Sequence, residues 1–180
     1  LGLNVGDRWE SVSEVSAERI DTRLRPFNDL HYIMALTMSG RRTEAQAMLT
    51  SMRDFVSVNA EKDVTIATTY RDVGIPVAEA ILAHGSKDYA KVIEIMMPTR
   101  YRMVPLGGSW AQRDVWERML IHAAINDQQH SLARALLAER TNMAPTSAPS
   151  WIMYAEALNS CGEPKEAETA RTKATEILAA

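Results

Sequence analysis

The sequence predicts an all-α protein in which antiparallel helical hairpins stack as a right-handed solenoid. The main observation is a small residue that recurs five positions after a break in an apolar run. The four pairs are Gly40 with Ala45, Gly85 with Ala90, Gln128 with Ala133, and Gly162 with Ala167. The alanines at 45, 90, 133 and 167 are therefore 45, 43 and 34 residues apart, which is within the range of helical-repeat periods. Strictly alternating β-branched runs, the pattern of half-buried strands, are absent from the sequence.

Composition limits the classes of partner. The 180 residues are 46% hydrophobic and 24% charged, which suits one globular domain spanning 1–180 or a short repeat array. A net charge of −3 gives no field that would recruit nucleic acid or an acidic membrane, and no apolar run approaches the roughly 20 residues of a membrane span. The single cysteine, Cys161, excludes an internal disulfide framework and favours a reducing, cytoplasmic compartment. Because the chain begins with Leu1 rather than Met, we expect it to be a piece of a longer protein.

The first third of the chain predicts a leading helix and one hairpin. The leading helix covers about 7–20, with Trp9, Val12 and Val15 on its apolar face. A break at Pro26 follows, and Asn28 or Asp29 then has the chemistry to cap the next helix. The first hairpin covers about 29–58, turning at a glycine that tolerates positive φ.

Three further hairpins are predicted, at about 63–100, 109–140 and 151–178. In the second, Pro76 predicts a kink or a break, because proline removes a helical hydrogen bond. The third begins with a capping box formed by Ser109 and Gln112. In the fourth, Pro164 suits the first turn of the last helix, and small residues from Ala167 onward line its inner side.

The last hairpin resembles a tetratricopeptide repeat. The residues that carry the resemblance are Pro145, Trp151, Ala155, Gly162, Ala167 and Ala174. Over roughly residues 9–149, the amino-acid sequence also resembles the C-terminal half of the tetratricopeptide repeat protein 38 family. That second resemblance lies in Pro26-Phe27-Asn28-Asp29-Leu30-His31, Met34-Ala35-Leu36, Gly40-Arg41, Val73-Gly74-Ile75-Pro76, Pro98-Thr99-Arg100-Tyr101, Gly107-Gly108-Ser109-Trp110-Ala111-Gln112-Arg113-Asp114 and Ala133-Arg134-Ala135-Leu136-Leu137-Ala138-Glu139-Arg140. The resemblance implies a helical-repeat fold and a preceding half of further helices, and it brings no catalytic mechanism with it.

Catalytic, cofactor and metal sites are not expected. None of the four histidines has a partner at a metal-ligand spacing; they are His31, His84, His122 and His130. Asp29 and His31 are two residues apart, so on one helix they do not face each other as an acid–base pair. We therefore expect Asp29 to be a helix cap and the protein not to be an enzyme.

Two binding surfaces are candidates. The inner faces of the first hairpin helices form a concave surface in a repeat array. In the alanine register this surface carries Met34, Glu79, Arg118, His122, Glu156 and Asn159. It predicts a scaffold or adaptor that binds a protein or peptide, although the same residues could instead pack against a missing N-terminal half or a terminal helix. A further alternative is homo-oligomerisation through the truncated end of the chain. The alternative is a regulatory or enzymatic domain with an anion-binding pocket formed by Arg100, Ser109 and Arg113, since guanidinium groups suit carboxylates and phosphates.

Overall fold

All regular structure in the computed structural model is helical, within the residues that it describes, 6–62 and 64–180. The predicted all-α class is therefore confirmed. Position 63, the predicted start of the second hairpin, lies outside the described residues. The helices are α1 (Arg8–Ala17), α2 (Pro26–Met38), α3 (Arg42–Val58), α4 (Thr65–Thr69), α5 (Ile75–Gly85), α6 (Tyr89–Thr99), α7 (Trp110–Asn126), α8 (His130–Met143), α9 (Ala148–Ser160) and α10 (Pro164–Ala179). A π-helix (Tyr70–Gly74) joins α4 to α5, and two 3₁₀ turns (Arg100–Arg102 and Val104–Leu106) precede α7.

The chain divides into two compact units, the first ending at Leu120 and the second covering Ile121–Ala180. In the first unit α2 packs against α1, α3 and α5, and α5 also packs against α3 and α6. In the second unit α9 packs against both α8 and α10. Three pairs of helices joined by a short turn therefore pack together as hairpins: α2 with α3, α5 with α6, and α9 with α10. Some helices also contact the preceding hairpin, as α5 contacts α2 and α3.

Four tight turns share one backbone geometry, two in each unit. Each contains a single residue with positive φ, and the N–H of the next residue donates to the carbonyl five positions before it, as in a Schellman motif. The positive-φ residues are Gly40 (81°), Lys87 (61°), Gln128 (57°) and Gly162 (78°). The bonds are Arg41 to Leu36 and Asp88 to Ala83 at 2.9 Å, and Gln129 to Ala124 and Glu163 to Leu158 at 3.0 Å. The residue five positions after each positive-φ residue is buried; these are Ala45, Val92, Ala133 and Ala167.

The predicted pairing of Gly85 with Ala90 is wrong by two residues. Ala90 is exposed, and the buried position in its hairpin is Val92, five residues after Lys87. Gly85 instead lies at the end of α5, where an added Cβ would stand 2.2 Å from Cγ2 of Thr37. The glycine is therefore required for the close approach of α5 to α2, and a lysine adopts the left-handed conformation in the turn.

Helix α1 buries serines where the sequence predicted an apolar face. Ser13 and Ser16 are buried, whereas Val12 and Val15 are 48% and 51% exposed. Each serine hydroxyl donates to a carbonyl of its own helix at 2.7 Å, to Glu10 and Val12 respectively. Because these hydroxyls are satisfied and small, α1 packs closely on α2 through its polar side.

The break predicted at Pro76 takes the form of the π-helix. The N–H of Ile75 donates to the carbonyl of Tyr70, a spacing one residue wider than in an α-helix. Pro76 follows directly, so the residue that lacks an N–H stands where the hydrogen-bond spacing of the helix changes. The first helix of this hairpin thus continues through 65–85 without a gap, but with one wide turn.

Candidate functional site

A buried polar cluster occupies the first unit and joins three segments of the chain. Arg23 comes from the connection between α1 and α2, Asp29 from α2, and Tyr70 from the first position of the π-helix. The Arg23 side chain is 7% exposed, Asp29 is 1% exposed and Tyr70 is fully buried. One oxygen, Oδ2 of Asp29, accepts from both Nη1 of Arg23 and the Tyr70 hydroxyl, the latter at 2.5 Å. The carboxylate therefore holds a loop and a π-helix onto α2.

This arrangement corrects the prediction that Asp29 caps a helix. The helix begins three residues earlier, because Pro26 occupies its first turn and Arg25 before it is extended (φ −150°, ψ 125°). Asp29 is consequently inside α2, one turn from its start, with its side chain directed to the core. The cap prediction used the local preference of aspartate alone, whereas the position of Pro26 was the signal that would have placed Asp29 inside the helix.

Burial dominates the electrostatics of the cluster. Desolvation raises the pKa of Asp29 above its usual value of 3.8, against the opposing effects of the Tyr70 hydrogen bond and the Arg23 charge. Desolvation also raises the pKa of Tyr70, and the hydrogen bond to Asp29 raises it further. Tyr70 therefore remains a protonated donor at every physiological pH. The cluster is held by charge-assisted hydrogen bonds, and the tyrosine is not poised to act as a base.

Arg23 is incompletely satisfied. Its Nη1 bonds Asp29, but Nε and Nη2 are buried and have no hydrogen-bond partner. A buried donor without a partner costs about 1–3 kcal/mol, and more when it is charged. Arg23 and Tyr70 have no local sequence signal, because their importance depends on contacts with Asp29 that span 6 and 41 positions of the chain.

An aromatic cluster, Phe27, His31 and Trp116, is also in the first unit. The His31 ring lies 4.4 Å from that of Phe27 and 5.5 Å from that of Trp116, and its Nδ1 is 2.8 Å from the Phe27 carbonyl oxygen. Trp116 is 1% exposed, and its indole nitrogen is buried without a partner. His31 thus contacts aromatic groups while Asp29 contacts Arg23 and Tyr70. The two residues do not form an acid–base pair, which agrees with their spacing.

The residues of the predicted anion site make contacts within their own turn. Ser109 and Gln112 form the predicted capping box, with the Gln112 N–H 3.2 Å from the serine hydroxyl and the Ser109 N–H 2.7 Å from the glutamine amide oxygen. Nη1 of Arg113 donates to the carbonyls of Gly107 and Gly108 at 3.0 and 2.5 Å. The Arg100 guanidinium lies 4.5 Å from the centre of the Tyr101 ring. Ser109 and Arg113 therefore meet at this turn and stabilise it.

The residues of the predicted concave surface belong to both units. In the first unit, Met34 lies half-buried on α2. Glu79 lies on α5 and accepts from Arg53 of α3 at 2.7 Å. Arg118 forms an ion pair at 3.0 Å with Asp114, one turn earlier in α7. In the second unit, Glu156 and Asn159 are exposed on α9, and partial burial of His122 on α7 lowers its pKa. The α9 residues are therefore available to a partner, whereas Glu79 and Arg118 already have ion-pair partners.

The described part of the chain shows neither a cluster of metal-ligand side chains nor a membrane-spanning helix. Across 6–62 and 64–180, His, Cys, Asp and Glu side chains nowhere gather in a group of three that could hold a metal ion. In the same residues, no helix combines the length and the apolar character needed to cross a bilayer. Neither a protein-family model nor a solved structure matches this chain.

Proposed function

We propose that this chain is a non-catalytic, tetratricopeptide-repeat-like module that binds a peptide or protein surface. The observation that carries the proposal is the shared turn geometry, repeated four times with a buried residue five positions later. A repeated helical hairpin is the building unit of solenoids, whose stacked first helices offer an extended binding face. Membership of the tetratricopeptide repeat protein 38 family is part of this proposal and rests on the sequence resemblance.

The packing of the helices supports stacking within each unit. The first helix of the second hairpin, α5, contacts both helices of the hairpin before it, and α9 contacts the preceding α8. This order of contacts is the one that a repeat array produces, since each hairpin buries the exposed side of its predecessor. We propose a right-handed solenoid as the continuation of this pattern.

The anion-pocket alternative is weaker than the interaction module. The Ser109 hydroxyl serves the capping box, and one nitrogen of Arg113 bridges two carbonyls of the glycine turn. An anion at this place would have to compete with bonds that stabilise the start of α7. The exposed face of α9 requires no such rearrangement, so we place peptide binding there.

Selection from a displayed peptide library tests the proposal with a matched pair of charge reversals. Glu156→Lys alters the first helix of the last hairpin, and Glu168→Lys alters an exposed position on its second helix, α10. We expect the selected peptides to lose affinity for Glu156→Lys and to bind Glu168→Lys as they bind the wild type. The proposal fails if no sequence is enriched, or if the enriched peptides bind both variants equally well.

A further inference from the structure

The guanidinium group of Arg23 has two neighbouring nitrogen donors that no hydrogen bond uses. In a guanidinium group, the N–H bonds of Nε and one terminal nitrogen run parallel, and together they match the two oxygens of a carboxylate or phosphate. Nε and Nη2 are the two Arg23 nitrogens that are buried without a partner, while Nη1 is engaged by Asp29. The unsatisfied donors therefore form one bidentate edge.

The surroundings of Arg23 fix the direction of this edge. Oδ2 of Asp29 accepts a hydrogen bond from Nη1 of the guanidinium group, and the Tyr70 hydroxyl donates to the same oxygen at 2.5 Å. Because the arginine side chain is only 7% exposed, few of its rotamers remain accessible, and the free edge keeps one orientation. A preorganised donor pair in a poorly solvated place binds an anion more strongly than a mobile surface arginine.

The connection that carries Arg23 borders solvent. Arg23 lies between α1 and α2, where the chain is not helical, and its neighbour Leu24 is 73% exposed. Because residues 18–25 lie outside the helices, a displacement of this connection would expose the Arg23 donors without breaking a helix. We propose that the Nε–Nη2 edge of Arg23 binds the oxyanion group, carboxylate or phosphate, of a ligand that enters beside the connection between α1 and α2. This inference concerns a different place from the α9 face and does not rest on the proposed function.

The first test observes Arg23 directly in the wild-type chain. Its side-chain Nε–H signal is assigned in a ¹⁵N NMR spectrum as the arginine signal that disappears in Arg23→Lys. We titrate the wild-type chain with sodium acetate and separately with sodium phosphate, at an ionic strength held constant with sodium chloride. A saturable downfield shift of this proton is expected, since a new N–H···O bond deshields it. A proton that does not move with either anion overturns the proposal.

A second test uses thermal unfolding with a matched control. Arg25→Lys changes an exposed arginine two residues away, whereas Arg23→Lys keeps the charge but removes the parallel donors. Acetate or phosphate should raise the Tm of the wild type and of Arg25→Lys, and the apparent Kd should rise roughly tenfold or more in Arg23→Lys. An equal rise of Tm in all three proteins would show unspecific ion effects and contradict the proposal. The anion with the lower Kd then identifies the ligand group as a carboxylate or a phosphate.

Discussion

Substitution of Gly85 by alanine tests the close approach of α5 to α2. The added Cβ would stand 2.2 Å from Cγ2 of Thr37, more than about 1 Å short of the optimal separation of two carbon atoms. Thr37 is only 8% exposed, and its hydroxyl donates to the Ile33 carbonyl at 2.7 Å, which fixes the rotamer that carries the methyl group. The clash therefore cannot be relieved by rotating the threonine alone.

The magnitude follows from two opposing effects. Overpacking of a buried contact costs about 1–3 kcal/mol. Alanine is more favourable than glycine in a helix by up to about 1 kcal/mol, and less at the last helical position. Since the overlap is severe and the neighbour is held, we expect Gly85→Ala to lower the free energy of unfolding by about 1–2 kcal/mol. The measurement is urea unfolding followed by far-ultraviolet circular dichroism.

The same substitution in a Thr37→Ser background isolates the clash. Serine keeps the hydroxyl that bonds Ile33 but lacks Cγ2, and the next nearest atom to the added Cβ is Cβ of residue 37 at an ordinary 3.7 Å. In this background Gly85→Ala should be neutral or slightly stabilising, so the two sites should couple by about 1–3 kcal/mol. Equal effects of Gly85→Ala in both backgrounds would refute the argument that the glycine exists for this contact.

Three other predictions concern the turns, the buried carboxyl and the repeat register. Lys87→Gly and Gln128→Gly should each raise the free energy of unfolding by roughly 0.5–1 kcal/mol, because glycine adopts positive φ without steric cost; a loss of stability on urea unfolding would show that the lysine and glutamine side chains matter more than the backbone. Because the folded-state pKa of Asp29 is raised, its protonation favours the folded state, so the wild type should gain stability relative to Asp29→Asn as the pH falls toward 3.8. A constant difference between the two proteins across that range would contradict the raised pKa. Ala167→Leu should lower the free energy of unfolding by about 1–3 kcal/mol through overpacking, because Ala167 is buried. Ala90→Leu should change it by less than about 0.5 kcal/mol, because Ala90 is exposed. Similar losses for both variants in urea unfolding would contradict the corrected register.

Helical class and turn positions are largely readable from the sequence, because they depend on local chemistry. Apolar spacing predicts the helices, and the glycines at 40 and 162 do adopt positive φ. The turn of the second hairpin was predicted at the wrong residue, because a suitable glycine, Gly85, lies two residues before Lys87, which adopts positive φ. A lysine with positive φ is uncommon enough that sequence alone favours the glycine. The observed packing of α2 against α5 explains why glycine is nevertheless needed there.

The buried cluster was not predictable from local preferences. Asp29 resembles a helix cap when only its neighbours are considered, and Tyr70 resembles one more apolar position in a helix. Their hydrogen bond depends on how α2 and the π-helix pack, which no spacing within either element specifies. Ser13 and Ser16 carry no apolar signal, yet each satisfies its own hydroxyl within α1 and is therefore suited to burial.

The wide turn at 70–74 sets an angular offset between the two ends of a continuous helix. One extra residue rotates everything before it by about 100° relative to everything after it, compared with an uninterrupted α-helix. Tyr70, at the start of the wide turn, bonds Asp29, and Gly74, at its end, packs close to Pro26 and Met52, where an added Cβ would stand 3.5 and 3.6 Å from their side chains. Deleting a single residue from this stretch would change the offset by about 100°, so the Tyr70–Asp29 hydrogen bond and the close packing at Gly74 could not both be kept. The number of residues in this segment is thus fixed by the contacts made at its two ends.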